Sequence, residues 1–258
     1  MQKAMYSALF GSLTQEFRLN MIANNLANAN TTGYKRDKVA FEDVFLHFAS
    51  DFVDPNDTVK QRIVWPKAEL ISETRLSKTY VDFSGGSLKV TGNPLDLAIE
   101  GKGFFKIQTD HGIRYTRDGR FSRDPKTGYL VTLSGYKVLG ENGPIQLPEQ
   151  GKVIVNENGE IIVNNDVVDK IAVVDISDLK FLQKEGKSLF YIENNKAKEV
   201  PLEKYFVRQG CLETSNVQPV KDMVNMIEIL RSFESLQKVM QTSSQEDEKA
   251  ISQVGVVR

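Results

Sequence analysis

Four asparagines, Asn20, Asn24, Asn25 and Asn28, follow one another at helical spacing where a solvated helix would normally carry Glu and Lys. A side-chain amide donates and accepts at once, so such a row suits hydrogen bonding to a neighbouring surface rather than proton transfer. Asparagine is also a mediocre helix former, and the same row fits a helix end that slides into a turn. Asn24, Asn25 and Asn28 are the candidate recognition residues of this stretch.

Other chemistry is thinner. Gly101-Lys102-Gly103 invites comparison with a phosphate loop. However, Lys106 stands where the third glycine of a dinucleotide fingerprint would fall, and no Gly-Lys-Ser/Thr follows. A turn packed by Phe104 and Phe105 is the better reading. Tyr115, Arg117 and Arg120 could stack on bases, but Asp118 and Asp124 offset them, which fits a hairpin surface. Lys35, Arg36 and Lys38 fit a phosphate, the negative end of a helix, or acidic residues of another chain.

Catalytic and metal sites are not expected. There is no Gly-x-Ser-x-Gly elbow, and the single cysteine, Cys211, has no histidine near it in sequence. With only His47 and His111 besides, a Cys/His zinc site has too few ligands, and no calcium loop is present. No cofactor is expected. Paired glycosidase carboxylates converge only in three dimensions, so a hydrolytic β domain stays open as a rival class.

The 258 residues are 40% hydrophobic, enough to bury a sizeable core. Thirty-three basic and 34 acidic residues leave a net charge of −1, so no whole-chain field favours nucleic acid or an anionic membrane. No stretch approaches the roughly 20 apolar residues that cross a bilayer. Ala4 to Leu13, behind Lys3, has some character of a signal-peptide core. Tyr6, Ser7 and Ser12 dilute it and no small-residue cleavage site follows, so a cleaved signal is not expected.

The elements that must position these residues follow from periodicity. Met5, Leu9, Leu13, Phe17 and Met21, continued by Ile22 and Leu26, predict an amphipathic helix from about 3 to 29, stopped by Thr31-Thr32-Gly33. Phe41, Val44, Phe45 and Phe48 fit either a short helical face or extended chain, and 50–66 reads as a loop. From 68 to 206 short alternating runs predict an all-β domain. Its candidate strands are Leu95 to Ile99, Phe104 to Thr109, Gly112 to Thr116, Tyr129 to Thr132, Lys137 to Leu139, Val153 to Val155, Ile161 to Val163, Lys170 to Val174 and Leu189 to Ile192. Asp110-His111-Gly112, Arg117-Asp118-Gly119, Asn142-Gly143 and Asn158-Gly159 supply residues suited to positive φ between them.

Helix returns near the end. Thr214-Ser215-Asn216 offers a cap, and Val220, Met223, Met226, Ile227, Leu230, Phe233, Leu236 and Met240 approximate a heptad seam that wants a helical partner. The first helix is the one candidate. The expected fold is mainly β: an inserted all-β domain of short hairpin strands between terminal α-helices. The expected division is 1–36, a connecting 37–67, the β domain 68–206, and 207–258.

Read with its motifs, the chain resembles the bacterial flagellar hook and basal-body rod proteins. The matches are Ala8-Leu9-Phe10-Gly11, Asn24-Asn25-Leu26-Ala27-Asn28, Thr32-Gly33-Tyr34-Lys35-Arg36, Gly101-Lys102-Gly103-Phe104-Phe105, Tyr115 through Phe121, and Glu213-Thr214-Ser215-Asn216-Val217. The resemblance implies a structural subunit whose terminal helices pair as a coiled coil on assembly around a central channel, with the β domain outward. Residues expected to carry assembly are Leu9, Leu13, Phe17, Asn24, Asn25, Leu26 and Asn28 on the first helix, and Met223, Met226, Leu230, Phe233 and Met240 on the second.

Implied partners are other flagellar rod subunits and the flagellar type III export apparatus, with no nucleic acid and no membrane insertion. The implied place is the basal-body rod across the periplasm, reached by export from the cytoplasm without a cleaved signal. Within the family, the length and Val138 through Pro148 look most like the proximal rod subunits with their own β domain. The distal subunits share the Gly-x-Gly-Phe-Phe and Glu-Thr-Ser-Asn-Val motifs. Outside the family, the alternative is a carbohydrate- or peptidoglycan-binding β module that oligomerises through its helices.

Overall fold

The computed structural model describes residues 2–46, 71–186, 188–193, 196–202 and 204–254. The expected loop at 50–66, His47 and Phe48 lie outside the described residues. Helix α1 spans Gln2–Ala27 and helix α2 spans Pro219–Val254. Between them the chain is mainly β, built of many short antiparallel strands.

The end of α1 is set by its sequence. The amide of Asn28 still reaches the Asn24 carbonyl at 3.2 Å, Ala29 turns back to Leu26 at 3.1 Å, and Gly33 then takes φ +66°. Glycine tolerates that left-handed conformation because it has no Cβ. At the other end the expected cap is not the one used. Proline opens α2 at Pro219, where its missing N–H is no loss, and the Gln218 carbonyl accepts the first helical bond from the Asp222 amide at 2.9 Å. The Asn216 side chain is engaged elsewhere.

The chain divides into two compact units, one of Met1–Met21, Val39–Thr79 and Val224–Arg258, the other of Ile22–Lys38 and Tyr80–Met223. In the first, α1 and α2 touch: a Cβ on Gly11 would lie 3.2 Å from Leu236 Cδ1. Asp37–Leu46, which the sequence left undecided, is extended and pairs with Ile71–Val81.

The second unit holds the main sheet. In it Leu182–Glu185, Leu189–Ile192, Gly112–Thr116, Phe104–Thr109, Lys137–Gly140, Leu130–Thr132 and Phe121–Arg123 lie side by side. A three-stranded sheet of Val153–Val155, Glu160–Val163 and Asp166–Lys170 packs its inner face on the same core. Alternation divides the side chains. Phe105 and Ile107 are fully buried in the larger cluster with Leu97, Phe121 and Val138, while Phe104 joins Tyr115 and Phe190 in a smaller one. Each such side chain contributes about 1.5–3 kcal/mol on burial.

Two late segments return to early strands. Phe206–Gln209 pairs with Leu97–Glu100, and Cys211–Glu213 pairs with Leu88–Val90. The strand expected at Lys170 to Val174 is instead broken: Asp166–Lys170 ends there and Val173–Ile176 begins a new pairing with Glu199–Pro201. Gly112, Gly143 and Gly159 have positive φ as their turns require. Gly119 does not. It is glycine for want of space, since a Cβ would fall 1.6 Å from the Leu97 carbonyl oxygen.

Candidate functional site: a junction where both helices meet the β domain

Two of the four asparagines, Asn25 and Asn28, are turned inward, and Asn20 and Asn24 are exposed. Asn25 is buried, its Nδ2 donating to the Asp37 carbonyl at 2.9 Å and its Oδ1 accepting from the Asp37 amide at 2.9 Å. Asn28 is buried too and donates to the Asn24 carbonyl at 2.9 Å. The Tyr34 hydroxyl lies 2.9 Å from Asn24 Oδ1 and 3.1 Å from Asn25 Oδ1. The expectation that these amides face a neighbour therefore meets a local demand: the turn after α1 has backbone groups that need partners, and Asn25 supplies them. Asn24 is exposed and Leu26 half-buried.

Tyr34 is 2% exposed, and burial followed by the nearby Asp37 carboxylate pushes its hydroxyl pKa up, so it stays a donor. Lys184, from the strand Leu182–Glu185, closes the other side with its Nζ 2.8 Å from Asp37 Oδ1 and 4.1 Å from the Tyr34 ring centroid. Burial lowers the Lys184 pKa, and Asp37 opposes that shift.

Next along the chain, Gly33 lies against the connection between the strands Gly112–Thr116 and Phe121–Arg123. A Cβ at this position would sit 2.3 Å from the Asp118 nitrogen. Thr32 Oγ1 donates to Asp118 Oδ1 at 2.9 Å, and the Gly33 amide donates to the Glu213 carbonyl at 2.9 Å. Lys35 points into the protein, its Nζ 2.6 Å from Glu213 Oε1 and 2.8 Å from the Ser84 carbonyl. Arg117 approaches the same carboxylate, NH1 to Oε2 at 3.3 Å, and also donates to the carbonyls of Ile99 and Gly101 at 3.2 and 2.8 Å. The Gly86 amide adds a further bond to Glu213 Oε1 at 2.8 Å. Lys35 is 1%, Arg117 5% and Glu213 2% exposed, so two cations share one buried carboxylate. Burial lowers the pKa of both cations, and Glu213 opposes the shift in each.

Arg36 and Lys38 point the other way. Both lie 2.9 Å from Asp82 Oδ2. Burial alone would raise the Asp82 pKa, but hydrogen bonds from Lys38, Ser84 and Arg36 hold it well below the usual carboxylate range. Asn216 joins the two arms, accepting from the Arg36 amide at 2.8 Å and donating to the Asp82 carbonyl at 2.7 Å.

Together these contacts form a structural joint that ties the turn after α1 and the arm before α2 to the β domain. Among the described residues no group of three or more His, Cys, Asp or Glu is placed to hold a metal ion, and no helix is long and apolar enough to cross a membrane. Five aromatic rings of the β domain pack on each other, Phe83, Phe104 and Phe190 in edge contacts at 5.3 to 5.8 Å and Phe105 against Phe121 at 5.2 Å. Of the helix positions, Leu9, Leu13 and Phe17 are 42%, 52% and 36% exposed. Met223 and Leu230 are 48% and 40% exposed, and Met226, Phe233 and Met240 are half-buried. Sequence reasoning missed Lys184 and Asp82, which lie on chain remote from any motif and carry no local signal.

The segments gathered at this joint match known proteins. Residues 5–35 match the Flagella basal body rod protein family, 98–163 the Flagellar hook protein FlgE/F/G D1 domain, and 208–253 the Flagellar basal body rod FlgEFG protein C-terminal family. Flagellar basal-body rod protein FlgF of Caulobacter vibrioides is 35% identical over the whole of both chains. The chain belongs to the flagellar hook and basal-body rod family. FlgG of Borreliella burgdorferi is 33% identical over 94% of this rod protein and 95% of its own length, and FlgG of Bacillus subtilis is 30% identical over 95% and 96%. The function of the rod protein is that of a structural subunit of the flagellar basal body. Each of the three matched segments supplies one member of the buried ionic group: Lys35, Arg117 and Glu213.

Proposed function

We propose that this rod protein is a non-catalytic proximal subunit of the flagellar drive shaft, assembling with other rod subunits through α1 and α2. The observation that carries the assembly role is the open apolar stripe on each helix. Leu9, Leu13 and Phe17 on α1, and Met223 and Leu230 on α2, remain exposed. Such stripes are stabilised when another helix covers them. Met226, Phe233 and Met240 extend the α2 stripe, and Asn24 and Leu26 border the α1 stripe near the joint. Asn25 and Asn28 contribute to assembly by fixing the direction in which the chain leaves α1.

The resemblance of Val138 through Pro148 supports the proximal position. Relatives named FlgF and FlgG match over comparable lengths, so the distal position is the second reading. A small epitope inserted at the Asn164-Asn165 turn, located by electron microscopy of isolated basal bodies, separates them. Label beside the inner-membrane end supports the proximal reading, and label beside the hook overturns it. We also propose delivery by the flagellar type III export apparatus into the periplasm without cleavage. Mass measurement of subunits recovered from basal bodies tests this, since a shortened N-terminus would contradict it.

A further inference from the structure

Glu213 comes from the arm that leads into α2, while Lys35 follows α1, 178 residues away, and Arg117 lies in the β domain, 96 residues away. Among the described residues, Glu213 is the one carboxylate in direct contact with either cation. Asp82 and Asp175 act on the two cations only from farther off. A buried charge left without its partner is strongly destabilising, and with Glu213 gone two would be left. The backbone has the same arrangement, because the Gly33 amide donates to the Glu213 carbonyl and the Arg36 amide to Asn216. Residues 33–37 have contacts of their own to the β domain, Arg36 with Asp82 and Asp37 with Lys184, but the Lys35 ammonium and the Gly33 and Arg36 amides lack these further partners until residues 213–216 are in place.

We infer that Glu213 is a latch that couples the docking of the two arms, so that loosening either the α1 arm or the α2 arm weakens the hold of the β domain on the other. Coupling of this kind is reciprocal: loosening one arm loosens the other by the same free energy. The joint is tightest with both arms seated, and it passes order from one arm to the other through a single carboxylate.

Amide hydrogen exchange on the full chain tests the latch. In Glu213→Gln the side chain keeps its size and its acceptor for Gly86 but loses its charge. The Asp37 amide, which bonds to Asn25 and not to the α2 arm, should then exchange faster by at least about tenfold. Amides of Val155 and Ile161, in the three-stranded sheet, should keep their wild-type rates. Lys35→Met reads the same coupling from the other side, since the Thr214 amide, bonded to the Ser87 carbonyl, should also speed up. The neutral set Lys35→Met, Arg117→Met and Glu213→Gln should recover most of the protection, because no unpaired charge remains. Unchanged exchange at Asp37 in Glu213→Gln, equal acceleration at 155 and 161, or a neutral set as loose as Glu213→Gln would each overturn the latch.

Discussion

Lys184 covers the face of Tyr34, with its Nζ 4.1 Å from the ring centroid, and thereby ties a strand of the main sheet to the turn that ends α1. The ammonium gains from the ring quadrupole and from Asp37 at 2.8 Å, against the penalty of its own burial. A double-mutant cycle of Lys184→Met and Tyr34→Leu, followed by urea denaturation, should give a coupling of about 0.5–2 kcal/mol. Additive losses would mean that the two side chains do not interact.

Asn25 and Asn24 are neighbours with different work. Asn25→Ala removes two backbone partners at Asp37 from a buried site and should lower stability by about 1–3 kcal/mol. Asn24→Ala, at an exposed position, should lower it by about 1 kcal/mol or less. Thermal melts of the two variants compare them directly, and equal losses would contradict the inward role of Asn25.

Gly33 and Gly135 separate strain from crowding. Both have positive φ, +66° and +83°, but Gly135 has nothing within 4 Å of an added Cβ whereas Gly33 faces the Asp118 backbone. Gly135→Ala should cost about 1 kcal/mol for conformation alone, and Gly33→Ala at least about 2 kcal/mol more. Urea midpoints that fall equally would show that the close approach is relieved elsewhere.

Acid should open the Asp82 cluster. Its folded pKa lies below the ordinary value of 3.8, so its contribution is complete above that value and is lost as pH falls towards the folded pKa. Wild-type urea midpoints should fall on acidification below about pH 4, and Asp82→Asn should flatten that part of the curve while lowering stability at neutral pH. A variant with an unaltered acid profile would assign the loss to other carboxylates.

Leu13 and Leu230 stand 52% and 40% exposed on the two helices. Leu13→Asp and Leu230→Asp should leave monomer stability within about 0.5 kcal/mol, as surface changes do, while abolishing swimming and rod formation. Swimming at wild-type speed would remove these stripes from assembly.

Much of the architecture is legible in the sequence because it is local. The α1 stripe from Met5 to Leu26 predicts a helix that spans Gln2–Ala27, and the hairpin strands Phe104–Thr109 and Gly112–Thr116 follow from alternation around a single glycine turn. The joint is less legible because its partners are distant. Lys35 reads as one of three surface cations until Glu213 is brought to it, and Cys211–Glu213 is too short to announce a strand before Leu88–Val90 pairs with it. Gly119 shows that the right residue can be picked for the wrong reason: its turn looked like a need for positive φ, while the actual demand is the passing Leu97 carbonyl.

The antiparallel pairing of Cys211–Glu213 with Leu88–Val90 gathers the entrance and exit of the inserted domain at one place. Surface turns within the domain, such as the one at Asn164-Asn165, can lengthen, shrink or be exchanged without breaking that pairing. The bulk of the inserted domain is thus free to drift while its two stems keep their footing.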